Sequence, residues 1–161
     1  MKMDVPEPCL QQLQLPVYVD TILDVGCASG RNFIPFNGKL KLWGVDIVPF
    51  ERIKWVQPFV DLTYENGGLE NLTKRLEGEP VDLSRTLIFT AGTMAYCSEE
   101  WQKRFYAICQ KRGAKNFIFL EYPPQERYPN KNFKLPQSEF TAKKFREPTK
   151  AVTFYRLDTN S

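Results

Sequence analysis

The sequence predicts an α/β protein with a mostly parallel sheet. Apolar runs of strand length recur along the chain, and several are apolar nearly throughout, as strands buried on both faces should be. Helical patterns separate the later runs, and alternation of strands with helices implies βαβ units. The five predicted strands of this part are Thr21–Val25, Leu40–Ile47, Phe59–Leu62, Thr86–Thr90 and Asn116–Tyr122.

Two helices are predicted between the third and fifth strands. The first carries three leucines on one helical face and ends near Gly78. The second has Ser98 as a suitable N-cap, acids in its first turn and Gly113 as a stop. After the first two strands, Pro35 limits any helix and Pro49 opens one turn at most.

The last third of the chain has a different character. Residues 123–138 are polar and rich in proline, which predicts a long loop. Two candidate strands, Glu139–Phe145 and Ala151–Leu157, follow around a turn and predict an antiparallel hairpin at the sheet edge. With residues 1–20 as a short N-terminal extension and no linker, we expect residues 1–161 to form one domain.

Composition excludes several classes of protein. The formal net charge of +3 is too small to argue for nucleic acid or a membrane surface. The four cysteines lack C-x-x-C spacing and there is no histidine, so we expect no metal site and no histidine-activated nucleophile. No signal peptide or membrane-spanning run is visible, which predicts a cytoplasmic protein with reduced thiols.

A glycine loop follows the first strand in the stretch ILDVGCASGRN. Gly26 and Gly30 allow the backbone to approach a ligand closely, and Asp46 ends the second strand, where its carboxylate can accept hydrogen bonds from both hydroxyls of a ribose. The alternative is a tight turn without a ligand. A P-loop would need G-K-[S/T], and a dinucleotide fingerprint would need different glycine spacing. The pattern therefore favours a single nucleoside.

These residues resemble a known family. LDVGCASG is similar to the first motif of class I S-adenosylmethionine-dependent methyltransferases, an acid followed by G-x-G-x-G, with Ala28 in place of the middle glycine. WGVDI resembles the second motif. The resemblance spans about Thr21 to Leu157 and implies a doubly wound, mostly parallel seven-stranded sheet with a C-terminal antiparallel hairpin in a three-layer sandwich. It also implies S-adenosylmethionine as cofactor.

The resemblance further implies a set of cofactor-binding residues. Asp46 would hold the ribose diol and Ile47 would pack on the adenine. Asp61, placed at the end of the predicted third strand, either contacts the adenine amino group or stabilises a turn. The full set is Asp24, Gly26, Cys27, Ala28, Ser29, Gly30, Asp46, Ile47, Asp61, Thr90 and Ala91, with Gly92 beside the last two.

Candidates for catalysis are Tyr96, Glu121 and Tyr122, which lie beyond the fourth and fifth strands, where ligands bind in such sheets. Glu121 is the best candidate for a base or substrate contact, because it ends an otherwise apolar strand. Its alternative is a carboxylate that reaches solvent. We expect a small-molecule acceptor, while the basic and aromatic stretch 124–150 leaves nucleic acid or protein open. The acceptor site is expected either to be open or to be completed by the loop, a second subunit or a partner protein.

Three functions therefore compete. The first is an active S-adenosylmethionine-dependent methyltransferase. The second is a non-catalytic cofactor-binding or regulatory module that acts with a partner, which the short N-terminal extension and the lack of an obvious base would fit. The third is a nucleotide-dependent oxidoreductase, which the spacing of Gly26 and Gly30 disfavours.

Overall fold

The computed structural model describes residues 4–121, 133–143 and 151–159. A seven-stranded sheet has the order β3-β2-β1-β4-β5-β7-β6. Its first five strands are parallel, and β7 runs antiparallel to both β5 and β6. This confirms the predicted α/β class and the antiparallel hairpin at the edge. The strands are Thr21–Val25 (β1), Lys41–Asp46 (β2), Leu62–Asn66 (β3), Thr86–Ala91 (β4), Asn116–Glu121 (β5), Thr141–Lys143 (β6) and Val152–Arg156 (β7).

Helices connect the strands, and both predicted helices are confirmed. In the second long helix, the Ser98 side chain accepts a hydrogen bond from the Trp101 backbone N–H at 3.3 Å, as an N-cap does. Where prolines were expected to limit helices, the chain forms short 3₁₀ helices. The α-helices are Pro8–Gln11 (α1), Leu69–Gly78 (α2) and Glu99–Lys111 (α3); the 3₁₀ helices are Arg31–Phe36, Phe50–Arg52, Met94–Tyr96 and Gln137–Glu139.

The sheet is covered on both faces by separate apolar clusters. On one face α2 and α3 pack over β1, β4 and β5, with Leu72, Phe105 and Phe119 fully buried. The other face is covered by α1 and the 3₁₀ helix after β1, with Phe33 and Phe89 fully buried. Alternation along each strand assigns its side chains to one cluster or the other.

The predicted third strand was wrong. Phe59–Leu62 is not β3, which begins at Leu62 and ends at Asn66 as an edge strand. An edge strand carries polar side chains, so a search for apolar runs passes over it. The apolar residues before it instead build an aromatic cluster, in which Trp55 packs edge-on against Phe59 at 6.2 Å between ring centroids.

The predicted loop 123–138 lies partly outside the described residues, as do Tyr122 and the hairpin turn Glu147–Lys150. The described part of the loop contributes to the core. Phe133 and Leu135 are buried, and the Phe133 ring stacks on Phe154 of β7 with 4.5 Å between centroids. β6 begins at Thr141 rather than at Glu139, which belongs to a 3₁₀ helix, and β7 is slightly shorter than the expected Ala151–Leu157.

The N-terminal segment is attached beside the glycine loop. Arg31 forms a largely buried ion pair with Glu7 at 2.6 Å and donates to the Val5 carbonyl at 3.0 Å. The Glu7 backbone N–H donates to Asn32 Oδ1 at 2.9 Å. In the described parts of the chain, no helix has the length and apolar character needed to cross a membrane.

Candidate cofactor site

The carboxyl ends of β1, β2, β4 and β5 meet at one edge of the sheet. The chain leaves β1 toward β2 on one side, whereas β4 lies on the other side of β1, so the strand order reverses between β1 and β4. In open α/β sheets, ligands bind in the crevice at this reversal. The predicted residues at the ends of these four strands are therefore brought together.

The glycine loop, residues 26–30, is held by backbone hydrogen bonds to the end of β2. The N–H groups of Gly26 and Cys27 both donate to the Val45 carbonyl, at 2.7 and 3.1 Å. The Gly30 N–H donates to the Cys27 carbonyl at 2.9 Å. Gly26 and Gly30 have φ of 85° and 79°, in the left-handed region that glycine adopts without strain. Both glycines are thus required by the turn itself.

The space that the two glycines leave open is filled by side chains of this chain. A Cβ on Gly26 would overlap Thr93 Oγ1, and Thr93 Oγ1 itself donates to the Val25 carbonyl at 2.8 Å. A Cβ on Gly30 would lie 2.8 Å from the Phe59 ring and 2.9 Å from the Trp55 ring. At both glycines, the atoms that come close to the backbone therefore belong, at least in part, to this chain rather than to a ligand.

Ala28 stands at the middle position of the loop with φ of 48°. A left-handed conformation costs an L-residue other than glycine about 1 kcal/mol or more. The Ala28 N–H donates to Asp46 Oδ2 at 2.9 Å, so the strained residue joins the loop to the end of β2. The backbone at this position has the conformation that glycine adopts most easily, in agreement with the G-x-G-x-G pattern.

Asp46 ends β2 beside the loop and keeps part of its hydrogen-bonding capacity. Its Oδ2 accepts from Ala28 N–H and its Oδ1 from Val48 N–H at 3.0 Å. Each carboxylate oxygen has two lone pairs, so each can accept one further hydrogen bond. The next residue, Ile47, is 77% exposed and leaves an apolar surface next to the carboxylate.

Asp24 lies inside β1 and is 1% exposed, and neither carboxylate oxygen has a hydrogen-bond partner in the described residues. Burial raises the pKa of this carboxyl from 3.8 to about 7; the charge of Arg31 opposes the rise and that of Asp46 adds to it. A buried polar group without a partner is uncommon and needs an explanation. A cationic or hydrogen-bonding ligand group beside the loop would supply one.

Glu121 ends β5 and is also 1% exposed, so the alternative that it reaches solvent is wrong. Its Oε1 accepts from Met94 N–H at 3.1 Å and from Thr90 Oγ1 at 3.3 Å, while Oε2 has no partner in the described residues. Burial raises its pKa from 4.5 to about 8, against these hydrogen bonds. At neutral pH the group is mainly a neutral acid that holds the segment after β4.

The other predicted residues are placed less favourably. Tyr96 is 72% exposed in the 3₁₀ helix after β4, and Tyr122 lies outside the described residues. Asp61 precedes β3 and its carbonyl accepts from Leu42 N–H near the start of β2. Because β3 is parallel to β2, Asp61 lies at the amino end of β3, away from the carboxyl ends where the candidate site lies. Its predicted position at the carboxyl end of the third strand was wrong. The Thr90 side chain is fully buried against Glu121, leaving only backbone for a ligand.

Sequence reasoning missed Thr93, Trp55 and Phe59. The hydrogen bond of Thr93 joins positions 68 residues apart, and nothing local in the sequence pairs them. A threonine directly after Ala91-Gly92 at a strand exit was the available signal. Phe59 begins the apolar run that was predicted as the third strand, and Trp55 lies in the stretch where Pro49 was expected to open one helical turn. Neither pattern indicates a contact with the glycine loop.

Known structures with a similar fold include several methyltransferases. The bifunctional kinase-methyltransferase WbdD superposes with a TM-score of 0.65 at 14% identity, over 86% of this chain and 35% of WbdD. A methyltransferase assigned to antibiotic biosynthesis in Anabaena variabilis has a TM-score of 0.54 at 16% identity, over 77% of this chain and 49% of that one. This chain therefore spans about a third to a half of the length of these proteins.

Magnesium protoporphyrin IX methyltransferase (ChlM) from Synechocystis, solved with bound S-adenosylmethionine, has a TM-score of 0.54 at 12% identity, over 89% of this chain and 72% of ChlM. No protein-family model and no curated protein matches the sequence. The chain has the fold of class I S-adenosylmethionine-dependent methyltransferases. At such identities the likeness establishes the fold alone.

Proposed function

We propose that this protein binds S-adenosylmethionine across the carboxyl ends of β1, β2 and β4 and transfers its methyl group to an acceptor. The observation that carries the proposal is the pair of carboxylates beside the glycine loop. Asp46 has one spare lone pair on each oxygen, which matches the two hydroxyls of a ribose. Asp24 is buried without a partner, which matches a ligand that carries positive charge.

The exposed surface beside Asp46 supports the same assignment. Ile47 follows the carboxylate directly and is 77% exposed, although a large aliphatic side chain is usually buried. A flat apolar ring laid on Ile47 would remove this area from water at roughly 25 cal/mol per Å². Adenine attached to a ribose held by Asp46 has the required shape and position.

The residues at the ends of β4 and β5 serve positioning in this proposal. S-adenosylmethionine supplies an electrophilic methyl carbon, so the protein's main task is to align acceptor and methyl group. Glu121 is mainly protonated at neutral pH, and its hydrogen bonds to Met94 and Thr90 fix the segment that borders the crevice. We therefore assign Glu121 to positioning, and Tyr96 and Tyr122 remain candidates for acceptor contact.

A small molecule is the acceptor class we propose. The net charge of +3 provides little attraction for a polyanion, which supports a small acceptor over nucleic acid. We further propose that residues of a second subunit or a partner protein complete the acceptor site beyond the carboxyl ends of β4 and β5.

Calorimetry with S-adenosylmethionine and S-adenosylhomocysteine tests the cofactor assignment. Asp46→Asn should weaken binding about tenfold or more, because either orientation of the amide turns its NH₂ group toward a backbone N–H, of Ala28 or of Val48, and removes one acceptor for a ribose hydroxyl. Glu51→Gln, an exposed acid in the same β2–β3 connection, is the matched control and should bind as the wild type does. Absence of binding by the wild-type protein to both compounds would refute the proposal.

Turnover separates the remaining functions. Formation of S-adenosylhomocysteine, followed by mass spectrometry over a panel of hydroxyl, amine and thiol acceptors, is expected for an enzyme. Binding without turnover, with or without a copurifying partner, is the result expected of a regulatory module. Affinity for NADH and none for the sulfonium cofactor would instead indicate an oxidoreductase.

A further inference from the structure

Thr93 lies across the crevice that the proposed cofactor must occupy. It follows β4, and its hydroxyl donates to the carbonyl of Val25, the last residue of β1, at 2.8 Å. The same oxygen lies where a side chain on Gly26 would be. One face of the glycine loop is therefore covered by a side chain of this chain.

The backbone around Thr93 is fixed from the β5 and α3 side of the crevice. The Met94 N–H donates to Glu121 Oε1, and the Gly92 N–H donates to the Leu120 carbonyl at 2.8 Å. Gln102 of α3 is fully buried, and its Nε2 donates to the carbonyls of Met94 at 2.7 Å and Cys97 at 3.1 Å. These bonds do not involve the Thr93 side chain, so that side chain can change rotamer while the segment stays in place.

Rotation of one threonine side chain is a small change with a direct effect on access. It breaks the hydrogen bond to Val25 and uncovers Gly26, whose missing Cβ then leaves open backbone at the strand-order reversal. A ligand that binds only the open rotamer has its affinity reduced by the fraction of molecules that are open.

We infer that Thr93 is a gating residue of this site: the ligand reaches the backbone face of Gly26 only after the Thr93 hydroxyl leaves the Val25 carbonyl. The inference rests on the proposed cofactor binding and adds to it a residue that controls access. It also explains why a glycine is needed at position 26 in the absence of ligand, since the closed gate occupies the place of a Cβ.

Stopped-flow and calorimetric binding of S-adenosylhomocysteine to the full chain tests the gate. Thr93→Ala and Thr93→Val both remove the hydroxyl, and the second keeps the volume so that folding is preserved. Thr93→Ala should speed association and tighten binding by about three- to tenfold. Thr93→Val removes the hydrogen bond to Val25 but keeps a γ-methyl group that can cover Gly26, so it should speed association less than alanine does. Thr93→Ser keeps the hydroxyl and should behave as the wild type does. Thr63→Ala, an exposed threonine of β3, is the matched control and should change nothing.

The outcomes are distinguishable. If the wild type binds and the alanine and valine variants bind at the same rate or more weakly, Thr93 does not gate the site and the inference is wrong, while the cofactor assignment stands. If the wild type and all variants fail to bind, the cofactor assignment fails and the gate with it. Faster association of the alanine variant and, to a smaller extent, of the valine variant, with serine unchanged, supports both.

Discussion

Replacing Asp24 with asparagine should stabilise the protein at neutral pH while weakening the binding of a cationic ligand. Asp24 is 1% exposed and neither of its oxygens has a partner in the described residues. The asparagine side chain has nearly the same shape and no charge, so it fits the site without the desolvation of a carboxylate. Ordinary core substitutions destabilise, which makes the expected sign a sharp test.

The magnitude follows from proton linkage. Burial raises the pKa of Asp24 from 3.8 to about 7, a difference of about 3 pH units that corresponds to about 4 kcal/mol. Between these values the folded chain keeps a proton that the unfolded chain has lost, so stability falls as pH rises. The loss begins near pH 4 and is complete above about pH 7. Asparagine does not titrate, and its advantage over Asp24 grows across this window.

Urea unfolding of the full chain at about pH 5, 6, 7 and 8 measures this difference. Between about pH 5 and pH 8, the difference in unfolding free energy between Asp24→Asn and the wild type should increase by roughly 2 to 3 kcal/mol in favour of the variant. Glu100→Gln, at an exposed position of α3, is the control and should show no such trend. A variant less stable than the wild type at pH 8, or a difference that is constant with pH, would show that Asp24 is charged and stabilised in the folded state.

Three further substitutions test the site. Glu121→Gln keeps an acceptor for the Met94 N–H. Because burial raises the pKa of Glu121 to about 8, the stability of this variant relative to the wild type should increase with pH up to about 8. A difference in urea unfolding that does not change with pH would contradict this. Ala28→Gly should leave stability unchanged or raise it by up to about 1 kcal/mol and should bind S-adenosylhomocysteine at least as tightly as the wild type in calorimetry; weaker binding would count against the strain at this position. Gly26→Ala should lose at least about 2 kcal/mol in urea unfolding, and a Thr93→Ala background should restore part of the loss; equal losses in both backgrounds would show that the overlap with Thr93 is unimportant.

The sequence predicts the bounds of the central strands best. β1, β4 and β5 lie inside the sheet and are apolar over most of their length, which makes each visible as a run. β3 was misplaced because it is an edge strand with exposed polar residues, while the aromatic residues before it pack against one another and against the glycine loop. A local apolar run cannot show whether its partners are a neighbouring strand or a neighbouring loop.

The residues of the candidate site were predictable as far as their positions on strand ends. Asp24 and Asp46 lie on adjacent parallel strands and Gly26 directly follows β1, so their proximity follows from topology. The position of the segment after β4, which lies opposite these residues, does not follow from topology. The contact between Gly26 and Thr93, and the burial of Glu121 beneath Met94, depend on how the segment after β4 folds back, and that is set by Gln102 and other distant side chains.

Asp24 and Glu121 are buried acids whose charged forms destabilise the fold, and they lie on opposite faces of the sheet. Alternation along the strands puts Asp24 on the sheet face under α1 and Glu121 on the face under α2 and α3. Both have a pKa close to neutral because burial disfavours their charged forms. A bound positive charge near Asp24 would favour its ionised form and recover part of that penalty as binding free energy. A neutral ligand of the same shape would recover none of it. In the proposed cofactor site, this recovered free energy would favour a cationic nucleoside over a neutral one, provided that Asp24 has no hydrogen-bond partner in the protein.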